Sequence, residues 1–386
     1  MSAPTSKGTR FTKLSLENWR NFSKVEANLQ RRVFLVGPNA CGKSNLLDVF
    51  RFLQDVVSIG GGFQEAARSR GGVSRLRCLA ARRYPEISIS VNVATEENLT
   101  EWEYELRFKQ DNRGRPLITR ERVIQNSNLI LERPNESDQG DPERLSQTYL
   151  EQVSANREFR DLASFFGSVR YLHIVPHLVR DPDRSAGKKN DPFGGDFMEQ
   201  IARTTEKTRK GRLSQIRRAL VVAVPQLKTL ELFRDTRGTP HLRGKYEHWR
   251  PQGAWQTESD FSDGTLRLIG LLWAVLDGSG PLLLEEPELS LHSEVVTFLP
   301  QMVARIQRRT GRQILMSTHS PDLLSDSGIG SDEILLLQPD TEGTSVRAAS
   351  EIEEVKNLLA GGLSPAEAVI PQTRPKNASQ LPLFGE

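Results

Sequence analysis

The chain has 386 residues, 37 % of them hydrophobic and 26 % charged, with a net charge of +3. That length suits about two domains, or one with a large insertion, and that composition excludes global disorder. No run of about 18 apolar residues exists to cross a bilayer. The opening MSAPTSKGTR lacks the apolar core of a secretory signal, and Cys41 and Cys78 form neither a disulfide framework nor a C-x-x-C metal spacing. A reduced cytoplasmic protein is expected.

Residues 11–36 alternate like a hairpin, through Phe11, Leu14 and Leu16 and then Val25, Val33, Leu35 and Val36. The last of these strands runs into GPNACGKS (37–44), and a helix is predicted from Lys43 to about Gln54, broken by Gly60, Gly61 and Gly62. Gly37, Pro38, Asn39, Ala40, Cys41, Gly42, Lys43 and Ser44 match G-x-x-x-x-G-K-[ST], between a strand and a helix as that motif requires. The glycines let backbone N–H groups curl around phosphate oxygens. Lys43 adds positive charge, Ser44 offers a hydroxyl to Mg²⁺, and the helix N-terminus adds its partial charge. Cys41 reads as a small residue tolerated in the loop, although a thiol there has a route to a lowered pKa.

Three period-two runs follow, ISISVNV (87–93), EWEYELRF (101–108) and LITRERVI (117–124), with the turn DNRG (111–114). RPNESDQGDPE (133–143) reads as a linker. Residues 144–233 read mainly as helices around VRYLHIV (169–175), and the polar loop 179–195 is expected to be mobile. Two basic stretches stand out. Residues 68–83 hold six arginines and no acid, and residues 203–218 hold seven basic side chains and one acid. They suit phosphates, or simply a solvated helix face.

From 264 the pattern becomes helix (265–277), strand (281–285), helix (293–309), strand (313–317) and strand (333–337), the alternation of a helix-covered parallel sheet. The strand PLLLEEPELSLH (281–292) delivers Glu285 and Glu286 at its C-terminal edge, where ligands sit in such sheets. Glu285 is placed for a Mg²⁺ shell and Glu286 to polarise a water, whereas Glu288 reads as local structure. His319, in STHSP after QILM (313–316), sits at a strand end with reach to a γ-phosphate. Ser262, Asp263, Gly264 and Thr265 open a strongly apolar helix, with Ser262 as its cap. Residues 362–386 hold four prolines and read as a flexible tail.

These elements, in this order, resemble the ATP-binding-cassette head of the RecF/SMC type. More closely they resemble the RecF-like ATPases of the AAA-15/AAA-21 group, which includes the ATPase half of overcoming-lysogenization-defect nucleases. The opening LSLENWRNFSKVEANL (14–29) resembles their start. The resemblance covers about 11–60 and 255–345. It implies an α/β head with a mixed P-loop sheet and flanking helices, carrying an inserted antiparallel β region and a mainly helical lobe. The expected organisation is a first half of the head over 1–85, a β subdomain over 86–135, the lobe over 136–250, the second half of the head over 251–361, and the tail.

The resemblance also implies roles. Lys43 and Ser44 would be the Walker A pair, Glu285 the Walker B acid, Glu286 the catalytic glutamate and His319 the switch histidine. Ser262–Thr265 would be a signature acting in trans on the ATP of a second subunit. ATP and Mg²⁺ would be the cofactors and an ATP-dependent homodimer the working state. Three departures stand out: SDGT differs from the transporters' LSGGQ, Glu285 replaces the more frequent Asp, and no Q-loop glutamine is evident beyond an early candidate, Gln64.

No heptads long enough for an SMC coiled coil occur, and the 67 residues after His319 carry no nuclease acid set. A nuclease is therefore expected only in trans, as an effector from a neighbouring gene. QLPLF (Gln380, Leu381, Leu383 and Phe384 its contacts) resembles the bacterial sliding-clamp-binding peptide. The sequence thus points to an ATPase whose dimer gates DNA or a partner, in DNA repair or in antiviral defence. A transporter subunit and an ATP-binding scaffold without turnover are the alternatives. No membrane partner is expected.

Overall fold

The computed structural model describes residues 8–81, 85–95, 100–181, 191–248 and 254–374. The chain divides into two compact units. The first holds 1–170, 279–283 and 300–386, and the second holds 171–278 and 284–299.

In the first unit, β1 (Arg10–Trp19) and β2 (Phe22–Asn28) form a hairpin. Its alternation places Leu14, Leu16 and Trp19 opposite Ala27, Val25 and Phe22. β3 (Arg32–Val36) is buried along its whole length and runs into α1 (Lys43–Val57). Two short helices follow, α2 (Phe63–Arg68) and α3 (Val73–Leu76). Next come β4 (Ile87–Thr95), β5 (Thr100–Gln110), β6 (Pro116–Gln125) and β7 (Asn128–Arg133). The expected antiparallel region is larger than its own boundaries. Its sheet has the order β2-β1-β4-β5-β6-β7, so the hairpin before the glycine loop is part of it. Phe11, Phe50, Phe165, Phe166 and Tyr104 pack ring on ring beside it.

The segment 133–143 is not a free linker. Arg133 is only 1 % exposed and donates to the carboxylates of Glu121 and Asp138 at 2.9 and 2.8 Å, with its guanidinium 3.9 Å from the Tyr149 ring centroid. Asn135 and Asp138 form a capping box on α4 (Glu136–Gly140). Arg133 and Asp138 neutralise one another in the core while the residues around them stay largely exposed, a pairing that composition does not reveal.

α5 (Arg160–Gly167) leads to β8 (Arg170–Leu172), where the second unit begins. That unit carries α6 (Pro176–Val179), α7 (Phe197–Arg203) and α8 (Glu206–Leu220). Residues 182–190, within the loop expected to be mobile, lie outside the described residues. The lobe also holds a three-stranded antiparallel sheet of β9 (Leu227–Arg234), β10 (Pro240–Tyr246) and β11 (Ala254–Thr257), which the helical reading of the lobe did not include. Its signal was the turn around Asp235–Gly238, where Asp235 Oδ1 accepts from the amides of Arg237 and Thr239. Charged residues between Leu227, Leu230 and Leu232 masked the alternation.

α9 (Asp263–Leu276) precedes β12 (Leu282–Glu285). The helix expected over 293–309 is split at Phe298 into α10 (Ser293–Thr297) and α11 (Leu299–Thr310). β13 (Ile314–Thr318), β14 (Ile334–Asp340) and β15 (Gly343–Ala348) complete the second sheet of the first unit, in the order β15-β14-β3-β13-β12-β8. β3 lies parallel to both β13 and β14. β12 and β8 join through first-unit residues: the Leu282 amide donates to the Gln313 carbonyl and the Arg170 amide to the Pro281 carbonyl.

α12 (Glu353–Ala360) and α13 (Pro365–Val369) follow. The expected flexible tail is therefore folded through 373. Ser364 and Glu367 form a capping box, and Ala366, Ala368 and Val369 are buried. Two of its prolines, Pro365 and Pro371, stand in first helical turns. The clamp-like Gln380, Leu381, Leu383 and Phe384 lie outside the described residues.

Candidate functional site

The glycine loop is built by close approach. A Cβ on Gly37 would stand 2.5 Å from the Leu337 carbonyl oxygen and 2.6 Å from Cys41 Sγ. Gly42 has φ +100°, and a Cβ there would lie 2.2 Å from Asn21 Nδ2. Ala40 also sits at positive φ, 62°. The loop thus turns sharply into α1, whose N-cap, Gly42, offers no side-chain cap and whose first turn holds no acid. Orphan N–H groups and the positive dipole end are left for an anion.

Lys43 is 7 % exposed, and its ammonium donates to the Gly37 and Pro38 carbonyls at 2.9 and 3.1 Å. The charge is therefore held over the loop. Ser44, Asn39 and Ala40 are exposed. Cys41 is buried, and burial pushes its thiol up, with the Lys43 charge pulling the other way. The route to a reactive thiolate is closed.

Asn21 is a site residue that sequence reasoning missed. Its amide donates to the Cys41 carbonyl and to Thr344 Oγ1, both at 2.8 Å, and accepts from Asn45 Nδ2 at 2.8 Å. The turn between β1 and β2 thereby braces the loop from below. Trp19 Nε1 adds a bond to the Asn45 carbonyl at 2.9 Å.

His319 follows β13 directly. Thr318 is the register partner of Val36, so His319 and Gly37 each leave one step past a paired position on adjacent parallel strands. His319 is exposed at that sheet edge. Gln64 is not free for a nucleotide role, because its amide donates to the Pro116 and Ser146 carbonyls at 2.8 and 2.7 Å.

The second unit holds the other expected residues. Ser262 caps α9, accepting from the Thr265 amide at 3.2 Å. Arg180 donates to the Phe261 carbonyl at 2.7 Å and to the Asp263 carboxylate at 2.5 Å, which pins the first turn. A Cβ on Gly264 would meet the Ser290 carbonyl oxygen at 2.4 Å, so SDGT packs tightly on the turn after Glu286. Glu286 itself has φ 42°, a strained value for a non-glycine residue. Burial pulls the Arg267 guanidinium down, against the charges of Asp263 and Glu286. Glu285 accepts from the Tyr171 hydroxyl. Glu288, read as local structure, is 7 % exposed.

Part of each basic stretch is committed to acids, whereas Arg75 and Arg77 are exposed and Arg82 and Arg83 lie outside the described residues. Arg70 pairs with Asp48 and Asp55, Arg68 with Glu65, and Arg212 with Asp277. On α8, Lys207 and Arg218 remain exposed.

The loop fits the phosphates of a nucleotide with Mg²⁺: it is a cradle that side chains would fill, and the exposed Ser44 offers a hard oxygen donor. Among the described residues no group of three or more His, Cys, Asp and Glu converges on a metal site. Mg²⁺ suits that condition, since one or two carboxylates and the substrate's phosphates usually hold it.

Fold and loop together define a P-loop ATPase domain of the SMC-head type. Residues 32–325 match the model of the family described as "AAA domain, putative AbiEii toxin, Type IV TA system", and the chain belongs to that family. It is 22 % identical over 352 residues to Endonuclease GajA of Bacillus cereus strain VD045, covering 82 % of this chain and 56 % of that protein. The chain thus spans little more than half the length of this relative. Among solved structures it resembles an SMC head bound to the C-terminal winged-helix domain of ScpA, at TM-score 0.51 and 13 % identity over 87 % of this chain and 96 % of that one. It also resembles the Pyrococcus yayanosii SMC head with a coiled coil and joint, at TM-score 0.50 and 11 % identity over 90 % of this chain and all of that one. These likenesses establish the SMC-head fold. Among the described residues no helix is long and apolar enough to cross a membrane.

Proposed function

We propose that the chain hydrolyses ATP and that ATP-dependent dimerisation gates DNA or a partner effector. The observation that carries this is the loop 37–44: glycines at positions no side chain can occupy, an uncapped helix start, and the Lys43 ammonium held over it. Lys43 binds the terminal phosphates, and Ser44 and Glu285 hold Mg²⁺. When bound, Mg²⁺ neutralises charge developing on the transferred phosphoryl group. Glu286 orients the attacking water and accepts its proton, and His319 contacts the γ-phosphate. Ser262–Thr265 complete the site of a second protomer, so a monomer turns over slowly.

The likeness to an endonuclease and the family description support a defence setting, in which this chain supplies the ATPase. Exposed cations on α8 are available to a DNA backbone. A repair setting requires the clamp-like peptide, and a 371–386 peptide that fails to bind purified sliding clamp at tens of micromolar removes it.

The deciding experiment is steady-state ATP turnover with and without duplex, nicked and single-stranded DNA across a salt series. Lys43→Ala should lose nucleotide binding. Glu286→Gln should bind ATP, accumulate dimer and lose turnover by two orders of magnitude or so. Wild-type turnover in Glu286→Gln overturns the base assignment. Turnover indifferent to every DNA makes a protein the trigger.

A further inference from the structure

Glu285 stands where the ATPase heads it resembles more often carry Asp, so its carboxylate sits on one more rotatable bond. A longer acid reaches further and is less fixed, and a metal ligand gains from being fixed. The second unit contains a device for this. β8 presents Tyr171, and its phenol hydroxyl donates to the Glu285 carboxylate. The His173 ring, two residues on, lies with Nδ1 3.4 Å from the Glu285 carbonyl oxygen. That ring packs edge-on against Phe193, 6.1 Å between centroids, and the His173 amide donates to the Pro192 carbonyl at 2.9 Å. β8 and the residue that follows it thus contact both the side chain and the backbone of the same acid.

We infer that Tyr171 is a positioning residue for Glu285. Its hydroxyl, donating to the Glu285 carboxylate, holds that carboxylate in one rotamer. The inference rests on the reading of Glu285 as a Mg²⁺-shell acid. It adds that the Glu works as the shorter Asp does elsewhere because Tyr171 takes up its extra reach.

The test titrates Mg²⁺ against binding of the fluorescent nucleotide N-methylanthraniloyl-ATP to the full chain, alongside kcat and KM for ATP. Tyr171→Phe removes only the hydroxyl. It should raise the half-saturating Mg²⁺ three- to tenfold and lower kcat, while nucleotide affinity in EDTA and the melting temperature stay near wild type. Glu285→Asp, too short to reach the hydroxyl, should give the same shift, and adding Tyr171→Phe to it should change nothing more. If Glu285→Ala moves the Mg²⁺ midpoint and Tyr171→Phe does not, Tyr171 is structural and the inference falls alone. If Glu285→Ala leaves the midpoint in place, the metal reading of Glu285 falls, and the role of Tyr171 with it.

Discussion

Asn21 Nδ2 donates to the Cys41 carbonyl at 2.8 Å, tying the turn after the first strand to the middle of the phosphate loop. Asn45 Nδ2, in the first turn of α1, closes on Asn21 Oδ1 at the same distance. Asn21→Ala strands the Cys41 carbonyl and the Asn45 amide. It should cost about 1–2 kcal/mol of stability and weaken ATP binding roughly tenfold. Gly42→Ala should be worse, since the new Cβ meets the Asn21 amide at positive φ. Chemical denaturation and ATP titration of the two variants check both effects.

Cys41 should be inert. It is buried and its thiol is pushed up, so little thiolate exists at neutral pH. Alkylation by iodoacetamide at pH 7 should be far slower than for an unfolded control, and Cys41→Ser should retain ATP binding. Rapid labelling of Cys41 in the native chain would refute the assignment.

Arg133 lies between Glu121 and Asp138 with no exposed side-chain surface on any of the three. Removing the cation takes the ion pair from buried Glu121 and leaves buried Asp138 with only the partly exposed Arg144, at 3.5 Å. Arg133→Ala should destabilise the chain by about 3–5 kcal/mol, read from the urea midpoint. Replacing Glu132, an exposed neighbour that pairs with Arg120, should cost less than about 1 kcal/mol.

Glu151 sets a pH dependence. Burial raises its carboxyl to about 7, against the pull of the Phe63 amide, which donates to it at 2.6 Å. The folded state therefore holds this proton more tightly than the unfolded chain, whose value is near 4.5. Stability contributed by this group should fall as pH rises from about 4.5 to about 7, and the penalty, on the order of 3 kcal/mol, is complete above that. Glu151→Gln carries no such charge. Its melting temperature relative to wild type should climb between pH 5 and 8, and a constant difference would rule the effect out.

What the sequence determined by itself was whatever contiguous residues encode. GPNACGKS bends the backbone through its own glycines, LLLE forms a buried strand through its own leucines, and Ser262 caps the helix it begins. The antiparallel run from 87 to 124 was legible for the same reason, since period-two alternation is local. Contacts between distant parts of the chain were not legible. Asn21 meets Thr344 across 323 positions and Tyr171 meets Glu285 across 114, and neither pair leaves a mark in its neighbours. Gln64, suited by type to a nucleotide loop, is consumed by the Pro116 and Ser146 carbonyls. The segment around Arg133 looked like a linker because charge usually means solvent. Only packing decided that these charges neutralise each other inside. Local propensity sets which elements form, whereas the partner that satisfies each buried polar group is chosen when the sheets and helices close around it.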